Sequence, residues 1–270
     1  MKPLMIAVLL FSFCGTVLHA QINQKRAADQ LMEIGVANEA LIEQLMVTVP
    51  GVGSAREMLQ SQSVKPYMMP VRKVGMRGSE LSYTLATCLE YYVNLEKNYK
   101  DNLSPDYIAL SLQNSGRQVN MEEAFRFLVE NGTVSAAIMP YDAAAITNAV
   151  YATPKYKINN FLYLFRQVTQ PRQKIFATRK ALMRGNPVLV EIRADESIAQ
   201  VRDVSTWEPP RNGAGIYPLL VVGYDESRNA FEVMSSWGSN WGDGGYVWIS
   251  YDSFGKYTNN GYVMVPLPQY

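Results

Sequence analysis

The chain has 270 residues, of which 48% are hydrophobic and 18% are charged, with 25 Lys and Arg residues against 24 Asp and Glu residues. This balance is typical of a globular protein and excludes a chain that is disordered throughout. The net charge of +1 is spread over interspersed charges of both signs. The sequence therefore gives no indication of a surface that binds nucleic acid or an anionic membrane.

The first twenty residues have the composition of a secretory signal peptide. Lys2 supplies a positive start, residues 4–13 are apolar, and Ala20 is a small residue before the expected cleavage site. The apolar run is too short to span a bilayer. A lipid anchor on Cys14 is disfavoured, because Phe13 is bulky where a lipoprotein signal has a small residue. We therefore expect cleavage after Ala20 and a secreted or periplasmic protein without a membrane span.

Cleavage at this point changes the chemistry that the protein can perform. The chain has two Cys residues and one His, and Cys14 and His19 would leave with the signal peptide. The mature protein would keep a single thiol, Cys88, and no imidazole. An internal disulfide, a histidine metal site and histidine acid–base catalysis are then excluded. We expect no metal and no cofactor.

Residues 21–63 are predicted to be an extension that precedes the main domain. Apolar residues at near-helical spacing predict a helix over 22–47, which ends before Pro50 and Gly51. A short helical piece is expected over 55–60. The polar residues 61–63 are interpreted as a linker.

Residues 64–270 are predicted to form one α+β domain. Helices are expected over 81–95, 107–112, 122–131 and 179–183, the second of them beginning at a Ser-Pro-Asp start signal. Strands are expected over 188–192, 219–224, 230–234, 246–250 and 261–265. Because the helices come first and the strands follow, the order indicates an antiparallel α+β fold and not an alternating parallel sheet.

The order of the motifs in this domain resembles the papain family of cysteine peptidases. The most specific part is LVVGYD at 220–225, followed by FEVMSSWGSNWGDGGY at 231–246. Weaker support comes from PVRKVG at 70–75, LSP at 103–105 and MPY at 139–141. The resemblance implies two lobes with a cleft between them, a helical lobe over about 78–142 and a strand-rich lobe over about 180–270.

The resemblance also assigns the positions at which the family keeps its catalytic groups. The nucleophilic Cys position is occupied by Glu80, and the Trp that follows it is replaced by Leu81. The glutamine that donates to the oxyanion falls at Val74. The histidine base falls at Tyr217, and the asparagine that orients it falls at Ser235. None of these replacements supplies the thiolate, the imidazole or the side-chain donor that the family's mechanism needs.

The resemblance further places the walls of the cleft. The paired glycines that hydrogen-bond an extended peptide fall near Val119, so a side chain now occupies that wall. Trp237 and Trp241 could cage a ligand, but in this motif they more simply pack a wall. The predicted cleft is a vestigial binding site that includes Glu80, Leu81, Val119, Tyr217, Ser235 and Trp237.

Three functions remain open from the sequence. The first is a pseudopeptidase, a non-catalytic protein that binds a protein or peptide partner outside the cytoplasm. The second is a hydrolase that uses Glu80 with Tyr217 or Ser235. The third is a structural subunit that acts through its N-terminal helix. An inhibitory propeptide over 22–47 is disfavoured, because an inert domain has no activity to restrain, and a helix packed on the domain or on a partner is preferred.

Overall fold

The computed structural model describes residues 33–51, 59–113, 119–209 and 213–267. The chain divides into two units, 1–34 and 35–270, and the architecture below is that of the second. The predicted signal peptide and the predicted helical piece over 55–60 lie outside the described residues or at their edge. Within the described ranges, no helix has the length and apolar character needed to cross a membrane.

The secondary structure of the second unit alternates between helix and strand more often than the sequence suggests. The helices are α1 (Glu39–Leu45), α2 (Glu80–Lys97), α3 (Pro105–Gln113), α4 (Met121–Glu130), α5 (Asn148–Tyr151), α6 (Pro171–Met183) and α7 (Tyr251–Tyr257). The strands are β1 (Ser61–Ser63), β2 (Ile158–Phe165), β3 (Val188–Ala194), β4 (Gly215–Asp225), β5 (Ala230–Met234), β6 (Tyr246–Ser250) and β7 (Thr258–Pro266).

The seven strands of the described ranges join one antiparallel sheet. Six of them follow the order β2-β7-β3-β4-β5-β6, and β1 pairs with β4 beyond the end of β3. Buried residues of the central strands, including Val190, Val221 and Val233, form the main core with Leu182 of α6 and Phe254 of α7. The α+β class predicted from the sequence is therefore confirmed.

Helix α2 is the central helix of the domain and carries the first predicted site residue at its start. Its N-cap is Ser79, whose hydroxyl accepts a hydrogen bond from the backbone N–H of Ser82. The hydroxyl of Ser82 donates a hydrogen bond to the backbone carbonyl of Ser79. Residues 82–94 are all buried. Cys88 lies in the middle of this run at 0% exposure, and burial raises the pKa of its thiol. The thiol is therefore a packing group.

The sequence did not predict β1, β2, α5 or α7, and it predicted only the last part of α6. Strand β2 pairs with β7, but its residues are buried on both faces for most of its length, so its sequence lacks the alternation that marks a half-buried strand. Helix α7 follows β6 directly. Helix α6 begins at Pro171 and not at 179, because Pro is well placed in the first helical turn.

Within the residues that the structure describes, the predicted helix over 22–47 is confirmed at Glu39–Leu45 and is wrong over 33–38. Gly35 has φ of +92°, a left-handed conformation, and packs against the ring of Phe161, where a Cβ atom would come within 2.8 Å. Val36 then forms a parallel bridge to Leu162 of β2. The helix begins only after the N-cap Asn38 and has seven residues. An extended segment bound to the sheet edge replaces the first turns of the expected helix.

The segment 35–49 is joined to the domain by several polar contacts. Glu43 on α1 forms salt bridges with Lys180 and Arg184 of α6. Arg184 also donates to the carbonyl of Glu43 at 3.1 Å, and the Asn186 amide donates to the carbonyl of Val47 at 2.7 Å. These contacts favour the expectation that this segment packs on the domain.

The residues interpreted as a linker, 61–63, form strand β1 instead. Ser61 to Ser63 pair antiparallel with Asp225 to Gly223 of β4. Gly223 permits this approach, because a Cβ atom there would lie 2.9 Å from the carbonyl oxygen of Gln62. The pairing depends on a partner 160 residues away, which the polar local sequence does not reveal.

Candidate functional site

A cleft of about 550 Å³ lies where the start of α2 faces strands β3 and β4. Its lining is mostly apolar and comes from both the helices and the sheet. The lining residues are Ser79, Glu80, Leu81, Ala109, Leu112, Gln113, Val119, Asn120, Met121, Glu191, Ile216 and Pro218. Three of the predicted site residues, Glu80, Leu81 and Val119, are therefore in one cavity.

Glu80 is the first residue of α2, directly after the cap. Its carboxylate oxygen Oε1 accepts a hydrogen bond of 2.8 Å from the indole N–H of Trp237. An acidic side chain in the first turn is also stabilised by the helix dipole. Glu80 is therefore held by a specific donor from the strand-rich part of the domain.

Trp237 connects Glu80 to the other predicted site residues. Its ring meets that of Tyr217 edge-on at 6.0 Å between centroids and that of Trp241 at 5.4 Å. Trp241 has 0% exposure and donates its indole N–H to the carbonyl of Ile198 at 2.5 Å. Trp241 is therefore a packing residue, while Trp237 is half-buried.

Tyr217 and Ser235 both contact Trp237. Tyr217 lies on β4 and is partly buried; burial raises the pKa of its hydroxyl, and the nearby carboxylates of Glu196 and Glu80 act in the same direction. The hydroxyl of Ser235 is buried and accepts from the backbone N–H of Trp237 at 3.2 Å. The tyrosine is thus a neutral phenol and the serine a structural acceptor.

Val74 reaches the site through its backbone. Its N–H donates to the carbonyl of Ser236 at 2.9 Å, and the neighbouring Lys73 forms a bridge with Trp237. The aliphatic side chain of Val74 has no hydrogen-bond donor. The structure therefore brings Val74, Glu80, Tyr217, Ser235 and Trp237 into one chain of contacts, as the resemblance implies.

The sequence analysis missed several residues of the cleft, above all Glu191, Ile216 and Pro218. Ile216 and Pro218 flank Tyr217 on β4, and strand alternation places both of them on the face opposite to Tyr217, so a search along the Tyr217 face does not find them. Glu191 is one of two charged residues in the otherwise apolar segment VLVEIRA of β3. A charge in the middle of a central strand is the signal that could have identified Glu191.

The chemical repertoire of the cleft is narrow. The lining residues that the structure describes supply two carboxylates, one serine hydroxyl and two amides, but no thiol or imidazole. Within the described ranges, no group of three His, Cys, Asp or Glu residues is arranged to hold a metal ion. The arrangement can accept hydrogen bonds and attract a positive charge.

Comparison with known sequences agrees with the motifs. The sequence profile described as "Papain family cysteine protease" matches residues 59–267. Ananain from Ananas comosus is 25% identical over 73% of this chain and 56% of its own length. Procathepsin L from Mus musculus is 27% identical over 78% of this chain and 63% of its own length. The chain spans about half the length of the curated relatives that it matches.

Comparison with solved structures supports the same fold. The bromelain protease from Ananas comosus, solved in complex with the E64 inhibitor, aligns with a TM-score of 0.60 at 18% identity, covering 77% of this chain and 99% of the bromelain chain. Xylellain, a cysteine protease from Xylella fastidiosa, aligns with a TM-score of 0.61 at 17% identity, covering 87% and 96% of the two chains. At this identity, the likeness bears on the fold alone.

Proposed function

The chain belongs to the papain family of cysteine proteases, and we propose that it is a non-catalytic member that binds a peptide or protein partner in its cleft. The observation that carries this proposal is the absence of histidine from the entire family region, 59–267. The family's chemistry needs an imidazole to activate the thiol, and no alignment choice within this region can supply one. The single Cys of the region, Cys88, is buried.

The geometry at the start of α2 supports the same proposal. The position assigned to the nucleophile holds Glu80, which is engaged by the Trp237 indole. The position assigned to the base holds Tyr217, whose raised pKa keeps the phenol protonated near neutral pH, so that it cannot act as a base. The cleft itself is intact, at about 550 Å³ with an apolar lining, as expected of a site that binds without reacting.

We place this function outside the cytoplasm. The support is the composition of residues 1–20, with Lys2 before an apolar run and Ala20 at its end. A protein exported in this way would expose its cleft to extracellular or periplasmic peptides.

Partner capture with a cleft variant tests the proposal. Ile216 lines the cleft and is 54% exposed, so Ile216→Arg should fold while it blocks the apolar surface. Val168 is 89% exposed, does not line the cleft and gives a matched control, Val168→Arg. We expect crosslinked partners from the native host to be lost with Ile216→Arg and kept with Val168→Arg. Capture that is unaffected by Ile216→Arg would contradict a cleft function and support a structural subunit that acts through another surface.

A carboxylate hydrolase is the second candidate, since Glu80 borders the cleft and lies within electrostatic reach of Tyr217. Its catalysis would require Glu80 as a general base. The hydrogen bond from Trp237 occupies one carboxylate oxygen of Glu80 and holds the carboxylate against the indole, which favours the binding function. Turnover measurements on wild type and Glu80→Ala separate the two candidates.

A further inference from the structure

The cleft has an unusual distribution of charge. Its described lining residues include two carboxylates, Glu80 and Glu191, and no Lys or Arg. Most of the remaining lining is aliphatic, including Leu112, Val119 and Ile216. A surface of this kind repels anionic ligands and suits a side chain that is aliphatic along its length and cationic at its end.

The negative charges of Glu191 and Glu80 are compensated by different groups. Glu80 has the dipole of α2 and the indole N–H of Trp237. Among the residues that the structure describes, the donors to Glu191 are two neutral groups of β7, the Asn260 amide at 2.7 Å and the Tyr262 hydroxyl at 3.1 Å. No ion pair joins it to a Lys or Arg within the described ranges. Its negative charge is therefore left for a ligand.

The two donors also orient the carboxylate. Both of them reach the same oxygen, Oε2, and no described residue donates to Oε1. Tyr262 is itself fixed, at 3% exposure and with its ring 5.0 Å from that of Tyr163. Glu191 is thus a pre-positioned acceptor with one oxygen unused.

A second, more polar cavity of about 230 Å³ adjoins the cleft and shares Asn120, Met121 and Glu191 with it. Its charged residues are Glu122, Glu191 and Arg166. Arg166 stacks over the ring of Tyr163 at 4.4 Å. Glu191 therefore stands where the apolar cleft opens into a wetter space, which allows a cation bound there to keep part of its hydration.

We propose that the cleft binds a peptide segment through a lysine or arginine side chain, with the aliphatic stem against the apolar lining and the cationic end on Oε1 of Glu191. This inference rests on the proposed binding function and names its ligand class. Because Oε2 is already occupied by two donors, the site offers a single-point contact. It therefore favours the compact ammonium of lysine over a bidentate guanidinium.

The test uses the mature full-length protein and fluorescein-labelled peptides that are identical except for one central residue, Lys, Arg, norleucine or Glu. Norleucine keeps most of the aliphatic stem without the charge. We expect the Lys peptide to bind at least tenfold more tightly than the norleucine peptide by fluorescence anisotropy, and the Glu peptide to bind most weakly. The preference for Lys over norleucine should shrink as salt is raised from 50 to 500 mM.

Two variants test whether the preference for the Lys peptide over the norleucine peptide depends on Glu191. Glu191→Gln keeps an oxygen for Asn260 and Tyr262 and removes the charge, so the fold should persist while the Lys and norleucine peptides become equal. Glu130→Gln, an exposed acid at the end of α4, should keep the tenfold preference. Equal binding of Lys and norleucine peptides to wild type, insensitive to salt, would overturn the inference even if Glu191→Gln proved unstable.

The outcomes also separate this inference from the proposed function. Equal binding of all four peptides would retain a peptide-binding cleft and reject the cationic ligand. Failure of every peptide to bind would reject this ligand class, while host-partner capture that depends on Ile216 would still uphold the cleft function. Cleavage of the peptides by wild type that is lost in Glu80→Ala would overturn the non-catalytic function, whatever the binding preference.

Discussion

Two polar regions border helix α2, and they are built very differently. At the start of the helix, Glu80 makes one side-chain hydrogen bond, to Trp237, and otherwise faces the cleft. Further along the helix, Glu90 is 1% exposed and belongs to a dense cluster with Arg72. The first region is open to a ligand and the second is closed.

The buried cluster is organised by Arg72. Its guanidinium lies 3.2 Å from Glu90 and donates to the carbonyl of Leu103, the hydroxyl of Tyr141 and the hydroxyl of Thr87. These contacts tie the segment before α2 to α2 itself, to the segment before α3 and to the segment that follows α4. We therefore expect the polar groups of the closed region to maintain the scaffold, and those at the cleft to be replaceable with a smaller loss of stability.

Removal of Arg72 should break the closed region and gives the largest expected effect. Arg72→Met leaves the Glu90 carboxylate buried without its cation and leaves the Leu103 carbonyl unpaired. We expect a loss of about 3–5 kcal/mol in the free energy of unfolding at pH 8, measured by urea denaturation. The matched control is Arg126→Ala, which breaks a half-exposed pair with Glu122 and should cost less than about 1 kcal/mol. Equal losses of stability in Arg72→Met and Arg126→Ala would contradict the distinction between the buried cluster and an exposed ion pair.

The pH dependence of stability sharpens the same contrast. Burial raises the pKa of Glu90 from 4.5 to about 7, although the charge of Arg72 opposes the shift. The folded protein then binds this proton more tightly than the unfolded chain, so the Glu90 contribution to the free energy of unfolding falls as pH rises from about 4.5 to about 7. Each pKa unit corresponds to about 1.4 kcal/mol.

Glu90→Gln isolates this contribution, because all other groups titrate alike in both proteins. The free energy of unfolding of wild type minus that of Glu90→Gln should decrease between pH 5 and pH 8. We expect a decrease of at least about 1 kcal/mol and at most a few kcal/mol. Urea denaturation at four pH values measures this difference. A difference that stays constant or rises with pH would show that Glu90 is ionised throughout.

Substitution of Glu80 should have a smaller effect on stability. Glu80→Ala removes the acceptor of the Trp237 indole and a favourable charge at the start of α2, at a cost of about 1 kcal/mol. Glu80→Gln keeps an acceptor and should cost less than half as much. Tryptophan fluorescence should change in Glu80→Ala more than in Glu80→Gln. A loss above about 3 kcal/mol in the free energy of unfolding of Glu80→Ala would show that Glu80 maintains the scaffold as Arg72 does.

A reducing agent should leave the thermal stability of the protein unchanged. Cys88 is the free thiol of the described chain and has 0% exposure, so neither an internal nor an intermolecular bridge is expected from it. The melting temperature of the mature protein should be the same with and without a phosphine reductant. A clear decrease on reduction would mean that Cys88 is accessible and bridged.

The parts of this molecule that sequence reasoning could predict are those with local signals. Helix α2 has a capped start at Ser79, and strands β5 and β6 agree with the predicted ranges because turn residues bound them closely. Their motif also predicted that Glu80, Tyr217, Ser235 and Trp237 would be neighbours. The ranges of the helix and the strands depended on residue types and spacing, whereas the neighbourhood of the four site residues was implied by the resemblance to the papain family.

The parts that could not be predicted depend on distant partners. Strand β1 is the polar sequence SQS, and only β4 makes it a strand. The extended segment at Val36 exists because β2 offers an unpaired edge there. The role of Glu191 required the placement of Asn260 and Tyr262, about 70 residues later, against its carboxylate. None of these pairings leaves a local trace in the sequence.

The central claim is that this papain-family chain does not hydrolyse peptides, and turnover by the purified mature protein tests it most directly. The measurement compares wild type with Glu80→Ala on a panel of fluorogenic peptides that includes Lys-containing sequences. The account predicts no activity in wild type above that of Glu80→Ala, and no labelling by an epoxide inhibitor directed at thiols, because the family region has no histidine and its thiol is buried. Hydrolysis by wild type that disappears in Glu80→Ala would contradict the account and establish Glu80 as the base of a carboxylate hydrolase.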